Sequence, residues 1–224
     1  MPSLSNIAAQ NLQRLIANGT YAVGKALPGQ RELAETLGIS RACLREAISM
    51  LEALGLVRSH AGKGVFVTAG TVRNSDDIPQ NPNGIRPEAI FQFRFVLEPA
   101  AASMVAADHR EGSDEFRAIQ TRLEAALHGF DLVTAAQCDM EFHHTVAWRS
   151  GNEAFASVVE KYKSQVAYSL QLPFANPKSI WETADEHRAV IDAIAAHDPG
   201  AARLAMQTHL VRAAARIGIR FFQP

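Results

Sequence analysis

Apolar residues at Leu4, Ile7, Ala8, Leu12, Leu15 and Ile16 recur at helical spacing and predict an amphipathic helix over 4–18. Ser3 or Ser5 is placed to cap it, and Asn18-Gly19 to end it. The run 21–28 is rich in breakers and reads as extended, delivering the chain to a second helix near Gly29-Gln30. The turn Gly38-Ile39-Ser40 then introduces a third, whose stripe is Leu44, Ile48, Leu51 and Leu54. Past Gly55, residues 56–60 and 65–68 alternate as two short strands around Ala61-Gly62-Lys63-Gly64, a hairpin. Residues 70–87 hold three prolines and two glycines with few large apolar side chains, which is linker composition.

From Glu88 onward the period is helical throughout. Helices are predicted at 88–107, 112–128, 131–149, 153–172, 179–196 and 199–220, separated by Gly, Asn and Pro signals. Pro99 falls inside the first of these, where it removes one backbone bond and should bend the helix. Six such helices with short connections make an antiparallel bundle. The predicted fold is therefore mainly α: a winged helix-turn-helix of three helices and a β-hairpin wing over 1–69, a linker over 70–87, and an all-α bundle over 88–224.

The third helix carries Arg41 and Arg45 one turn apart, away from its apolar stripe. A short helix, a Gly turn and a second helix that opens with outward basic residues is a helix-turn-helix arrangement suited to the DNA major groove. Overall charge is only −1, but residues 1–69 carry seven Lys/Arg against four Asp/Glu, and the remainder carries fifteen against nineteen. A basic unit joined to an acidic one confines DNA binding to one end. Two cysteines, Cys43 and Cys138, exclude a disulfide framework. With no basic-then-apolar start and no uninterrupted apolar run of about 18 residues, the expectation is a cytoplasmic protein with no membrane partner.

The stretch LPGQRELAETLGISRACLREAISMLEALGLVRSHAGKGVFV resembles the winged-helix domain of the GntR family of bacterial transcription regulators. That resemblance implies main DNA contacts from Arg31, Arg41 and Arg45, lesser ones from Ser40, Ala42 and Cys43, and wing-tip contacts from Gly62 and Lys63. This sequence departs from the family pattern at Gly29, Ala42 and Cys43, positions that bear on which bases are preferred.

Eight histidines occur, and three form a pattern with one aspartate. Asp139 and His143 are four apart and share a helix face. His187 and His209 each lie eleven residues from Asp198 at the last predicted turn, so both stand at one height, about 16 Å from it. Three imidazoles and a carboxylate suit a divalent metal, zinc first, with nickel, iron or manganese as alternatives. His60, His109, His128, His144 and His197 fall at segment ends or off this face. Arg94, inside the apolar run 93–97, is either paired with Glu98 one turn on or aimed at a ligand carboxylate.

The stretches FRFVLEPAAA, DMEFHHTVAWRSGN and EHRAVIDAI, with the helix around His209, resemble the effector-binding domain of the FadR-type branch (FCD) of the same family. The resemblance implies metal ligation by Asp139, His143, His187 and His209, a small carboxylate effector held by Arg94 and Asn152, and the six-helix version of the domain; Asn152 is equally placed to cap the helix predicted over 153–172. The resulting expectation is a homodimeric, ligand-responsive regulator, a repressor in the simplest form, on a short inverted repeat of double-stranded DNA. Two alternatives stand beside it: a metalloenzyme acting on the carboxylate, weakened because Glu141 and Glu186 are out of phase with the ligands, and a purely structural metal.

Overall fold

The computed structural model describes residues 3–68, 84–109, 112–176 and 179–220. In the N-terminal part α1 spans Leu4–Ala17, capped by Ser3, whose hydroxyl accepts the Asn6 N–H. α2 spans Gln30–Leu37 and stops at Gly38, whose φ of 65° lets its N–H turn back to the last carbonyls of that helix. α3 spans Arg41–Ala53, capped by Ser40 through the Cys43 N–H at 3.1 Å. Leu12, Leu33, Leu44, Leu51 and Leu54 are almost wholly buried and tie the three helices together.

The hairpin forms as predicted: β1 (Val57–His60) pairs antiparallel with β2 (Gly64–Val67), with Val57 opposite Val67 and His60 opposite Gly64. The extended segment before α2 completes this edge, since Leu27 N–H donates to Val65 O and Val67 N–H to Lys25 O. The predicted linker falls mostly outside the described residues.

The C-terminal part is helical: α4 (Pro87–Ala107), α5 (Asp114–His128), α6 (Leu132–Arg149), α7 (Glu153–Lys161), α8 (Lys163–Gln171), α9 (Ile180–Ala195) and α10 (Pro199–Arg216). A 3-10 turn over Leu172–Ala175 follows α8. The single helix expected over 153–172 is two, so the described bundle has seven helices rather than six. The break is at Tyr162, where the backbone leaves helical values (φ −103°, ψ 17°) and the ring packs against Phe93. α4 packs on α6, α8, α9 and α10 and so forms the axis of the bundle. It is long and apolar enough to cross a membrane, but its buried Arg94–Glu98 ion pair and packed flanks make it a core helix.

α1 docks on α6. Gln13, nearly buried, donates to Phe130 O (3.0 Å) and Asp131 Oδ1 (3.3 Å) and accepts from Val133 N (3.1 Å). One side chain thereby satisfies a turn carbonyl and a free N–H of the first turn of α6. Gln13→Ala leaves both buried groups without partners and is expected to cost about 1–3 kcal/mol. For a chain of this size that lowers the melting temperature by roughly 2–4 °C per kcal/mol. A thermal melt checks it, and an unshifted transition would mean that water replaces the amide.

Candidate metal centre

α6 carries Asp139 and His143, α9 carries His187 and α10 carries His209. The helices bring all four together inside the bundle, none more than 2% exposed, with one ligand atom of each within 4.8 Å of every other. His143 Nε2 is 3.2 Å from His209 Nε2 and 3.8 Å from Asp139 Oδ1, and His187 Nε2 is 3.1 Å from that same oxygen. Metal–ligand bonds of about 2.1 Å put tetrahedral donors roughly 3.4 Å apart, so these spacings fit one ion. Among the described residues Asp139 Oδ1, His143 Nδ1 and both His187 nitrogens are buried and make no aligned hydrogen bond. Groups left in this way are costly in a packed interior, and a shared cation answers Asp139 Oδ1 and the His187 Nε2 that faces it.

The electrostatics agree. Burial pushes the His187 imidazole below its usual value against the pull of Asp139. Burial, with His187 and His143 alongside, pushes His209 further down. Burial opposes the charge on Asp139, but the close approach of His187 and the field of His143 outweigh it and keep the carboxyl ionised. Neutral imidazoles beside an ionised carboxylate are in the protonation state that a metal requires.

Two further carboxylates stand behind the histidines. Glu98 Oε2 lies 2.8 Å from His143 Nδ1, and Arg94 holds Glu98 through Nε at 2.7 Å and Nη2 at 3.3 Å. Burial works against the Glu98 charge, yet Arg94 and His143 together hold its carboxyl well below the usual range. Glu186 Oε2 lies 2.9 Å from His209 Nδ1, and Arg216 grips both Glu186 oxygens at 2.9 and 3.0 Å. Among the described residues His187 has no such partner at Nδ1, and its ring stacks on Phe142 with centroids 3.9 Å apart and planes 17° apart. Asp139, Glu98 and Glu186 against Arg94 and Arg216 leave this buried group one net negative charge, which a divalent cation reverses.

Of the two readings of Arg94, the structure shows the ion pair. Arg94 is paired with Glu98, and its Nη2 also sits 3.2 Å from His143 Nε2 while Nη1 donates to Ser169 Oγ. Asn152 caps α7, its side-chain oxygen taken by the Ala154 and Phe155 N–H groups, and no described contact joins it to the centre. Sequence reasoning misses Glu98, Ser169, Phe142 and Arg216 as parts of this centre. For Glu98 a signal exists, as an acid one turn from Arg94 in an apolar run. Glu141 is exposed and paired with Arg122. The other five histidines lie outside the centre and none is buried.

At the opposite end, Arg41, Ala42 and Arg45 are exposed on α3, Cys43 is half-buried, and Gly62 and Lys63 are exposed at the hairpin tip. Arg31 is exposed beside Glu35, 3.7 Å away. Ala42 and Arg45 line a cleft of about 600 Å³ whose other wall is α8, with Ser164, Ala167, Tyr168 and Gln171.

Comparison with known proteins agrees with both halves. Residues 4–67 match the family described as bacterial regulatory proteins, gntR family, and residues 89–212 match the FCD domain. The Exu regulon transcriptional regulator of Escherichia coli (strain K12) is 29% identical over 90% of this chain and 80% of its own. The putative L-lactate dehydrogenase operon regulatory protein of the same strain is 31% identical over 92% of this chain and 83% of its own. A putative GntR transcriptional regulator from Rhodococcus sp. RHA1, at 22% identity, shares the fold with a TM-score of 0.55 over 96% of this chain and 98% of that one. These relatives are regulators rather than enzymes, which removes the metalloenzyme reading. The chain belongs to the GntR family of bacterial transcription regulators, with an N-terminal DNA-binding helix-turn-helix and a C-terminal FCD effector domain.

Proposed function

We propose that this regulator binds a divalent metal at Asp139, His143, His187 and His209 and senses a small carboxylate there. The observation that carries the reading is the convergence of three imidazoles and an ionised carboxylate, with Asp139 Oδ1 and the His187 Nε2 facing it otherwise unsatisfied among the described residues. Zinc suits three nitrogens and an oxygen, and nickel, iron or manganese share that donor preference. When bound, the metal supplies a Lewis-acidic position for a carboxylate oxygen. Arg94 supplies the second recognition element: its guanidinium lies against His143, and its N–H groups have the partners given above. One relative takes its name from an operon for L-lactate dehydrogenase, an enzyme of a small hydroxy carboxylate.

The route from this centre to DNA runs through α8. Ser169 on α8 accepts from Arg94, and Ala167, Tyr168 and Gln171 on the same helix face Ala42 and Arg45 across the cleft. A ligand carboxylate that draws Arg94 from Ser169 shifts α8 against α3 and changes operator affinity by its differential binding to the two states. The active form is a cytoplasmic homodimer in which two α3 helices read an inverted repeat from adjacent major grooves, most simply as a repressor. In those grooves Arg31, Arg41 and Arg45, with Ser40, Ala42 and Cys43, face bases and phosphates, and Gly62 and Lys63 approach the backbone from the hairpin tip.

The test is metal analysis of the purified protein and of His187→Ala, followed by melting shifts across a panel of hydroxy acids, sugar acids and dicarboxylates. Expected are about one equivalent of metal in the native protein, little in the variant, and a carboxylate shift only where metal is retained. A shift that survives metal loss would make the metal a purely structural element.

A further inference from the structure

Two arginine–glutamate pairs flank the buried histidines in a matched arrangement. On one side Arg94 grips Glu98, whose other oxygen faces His143 Nδ1. On the other Arg216 grips Glu186, which faces His209 Nδ1. All four side chains are 5% exposed or less. They come from α4 in the first case, and from α9 and α10 in the second, so neither pair follows from the position of the four candidate ligands.

We propose that these pairs are positioning residues that set the affinity of the metal centre, a step that rests on the metal reading above. The physical reason lies in the imidazole. A carboxylate oxygen only accepts hydrogen bonds, so Glu186 Oε2, 2.9 Å from His209 Nδ1, keeps that ring's proton on Nδ1, and Glu98 Oε2, 2.8 Å from His143 Nδ1 though not aligned with it, is placed to do the same. The lone pair is then on Nε2, and it is the two Nε2 atoms that face one another at 3.2 Å. The carboxylate also makes each imidazole a stronger donor. The guanidiniums hold these carboxylates in place, Arg94 through Nε and Nη2 and Arg216 through both Nη atoms.

Arg216–Glu186 differs from its counterpart in one respect. Both residues line a groove of about 950 Å³ between α9 and α10, with Glu182, Arg212 and Leu204 among its other walls. This pair therefore joins the centre's interior to the protein surface. Among the described residues His187 has no carboxylate at Nδ1; its Nε2 faces Asp139 and its ring lies against Phe142.

Zn²⁺ affinity, measured by competition with a chromophoric chelator, tests the proposal in Glu98→Gln, Glu186→Gln and Arg216→Gln proteins. Expected losses are about 10–100-fold for either glutamate, the range found when an outer partner of a metal-bound histidine is removed. Arg216→Gln loses affinity in the same direction, and Arg216→Lys restores part of it. The Co²⁺ absorption spectrum of the glutamate variants shifts as well, which a loss of general stability would not produce. Asp185→Asn, in the same groove but exposed and paired with Arg188, keeps native affinity. Should a glutamate variant fail to fold, the Arg216 pair carries the test. Native protein that takes up no Zn²⁺ overturns the metal reading and this proposal together. Native protein that binds while the glutamate and Arg216 variants bind equally well, with unchanged Co²⁺ spectra, overturns this proposal alone.

Discussion

Arg41→Ala combined with Arg45→Ala is expected to weaken binding to the protein's own promoter fragment by a factor on the order of 10² to 10⁴. Each guanidinium contributes about 1–3 kcal/mol when it reads a guanine edge or a phosphate. Both side chains are exposed near the start of α3, and among the described residues neither has an ion-pair partner to lose. The substitutions therefore leave folding intact, which a matching melting temperature verifies. Fluorescence anisotropy at several salt concentrations separates the two kinds of contact. Removing an arginine that binds a phosphate reduces the salt slope by about one and weakens all duplexes alike, whereas removing one that reads a base relaxes preference at one position. Arg31→Ala belongs to the first kind and gives the smaller effect, since Arg31 sits outside α3 at the entry to α2. Native affinity in the double variant would move the reading surface elsewhere, with the hairpin tip at Gly62 and Lys63 the next place to test.

The N-terminal half is the more legible part of the sequence because each of its elements is announced locally. Ser40 and Gly38 are in the places that a cap and a left-handed stop demand, and the stripe from Leu44 to Leu54 is wholly buried. The four candidate ligands are legible for a different reason. Equal distances of His187 and His209 from Asp198 become equal heights once α9 and α10 pack antiparallel, and their rings do meet, with centroids 4.8 Å apart.

Glu186 is hidden in the sequence because it is adjacent to His187 and so points about 100° away from it around α9, yet its histidine partner is on α10. Helical phase within one element says nothing about what a neighbouring helix offers. The break at Tyr162 is invisible for a related reason. No proline or glycine marks it, and the ring that settles there is held by Phe93, far earlier in the chain.

Phe142→Ala is expected to be the most destabilising of these substitutions, at about 3–5 kcal/mol. That is a large part of the roughly 5–15 kcal/mol that holds a domain together. Phe142 has no exposed surface and lies between Phe116, edge-on at 5.9 Å, and the imidazole of His187, face-on at 3.9 Å. Core packing and the orientation of a candidate ligand thus rest on one ring. The two roles separate in a pair of variants. Phe142→Leu keeps much of the apolar volume but loses the flat surface under His187, so it melts closer to the native protein than Phe142→Ala does. Zn²⁺ affinity falls in both, because His187 then keeps Asp139 beside Nε2 but loses the flat surface under its ring. A leucine variant that binds Zn²⁺ as the native protein does would show that α9 alone fixes His187, and an alanine variant that melts with the native protein would show that the bundle closes over the space.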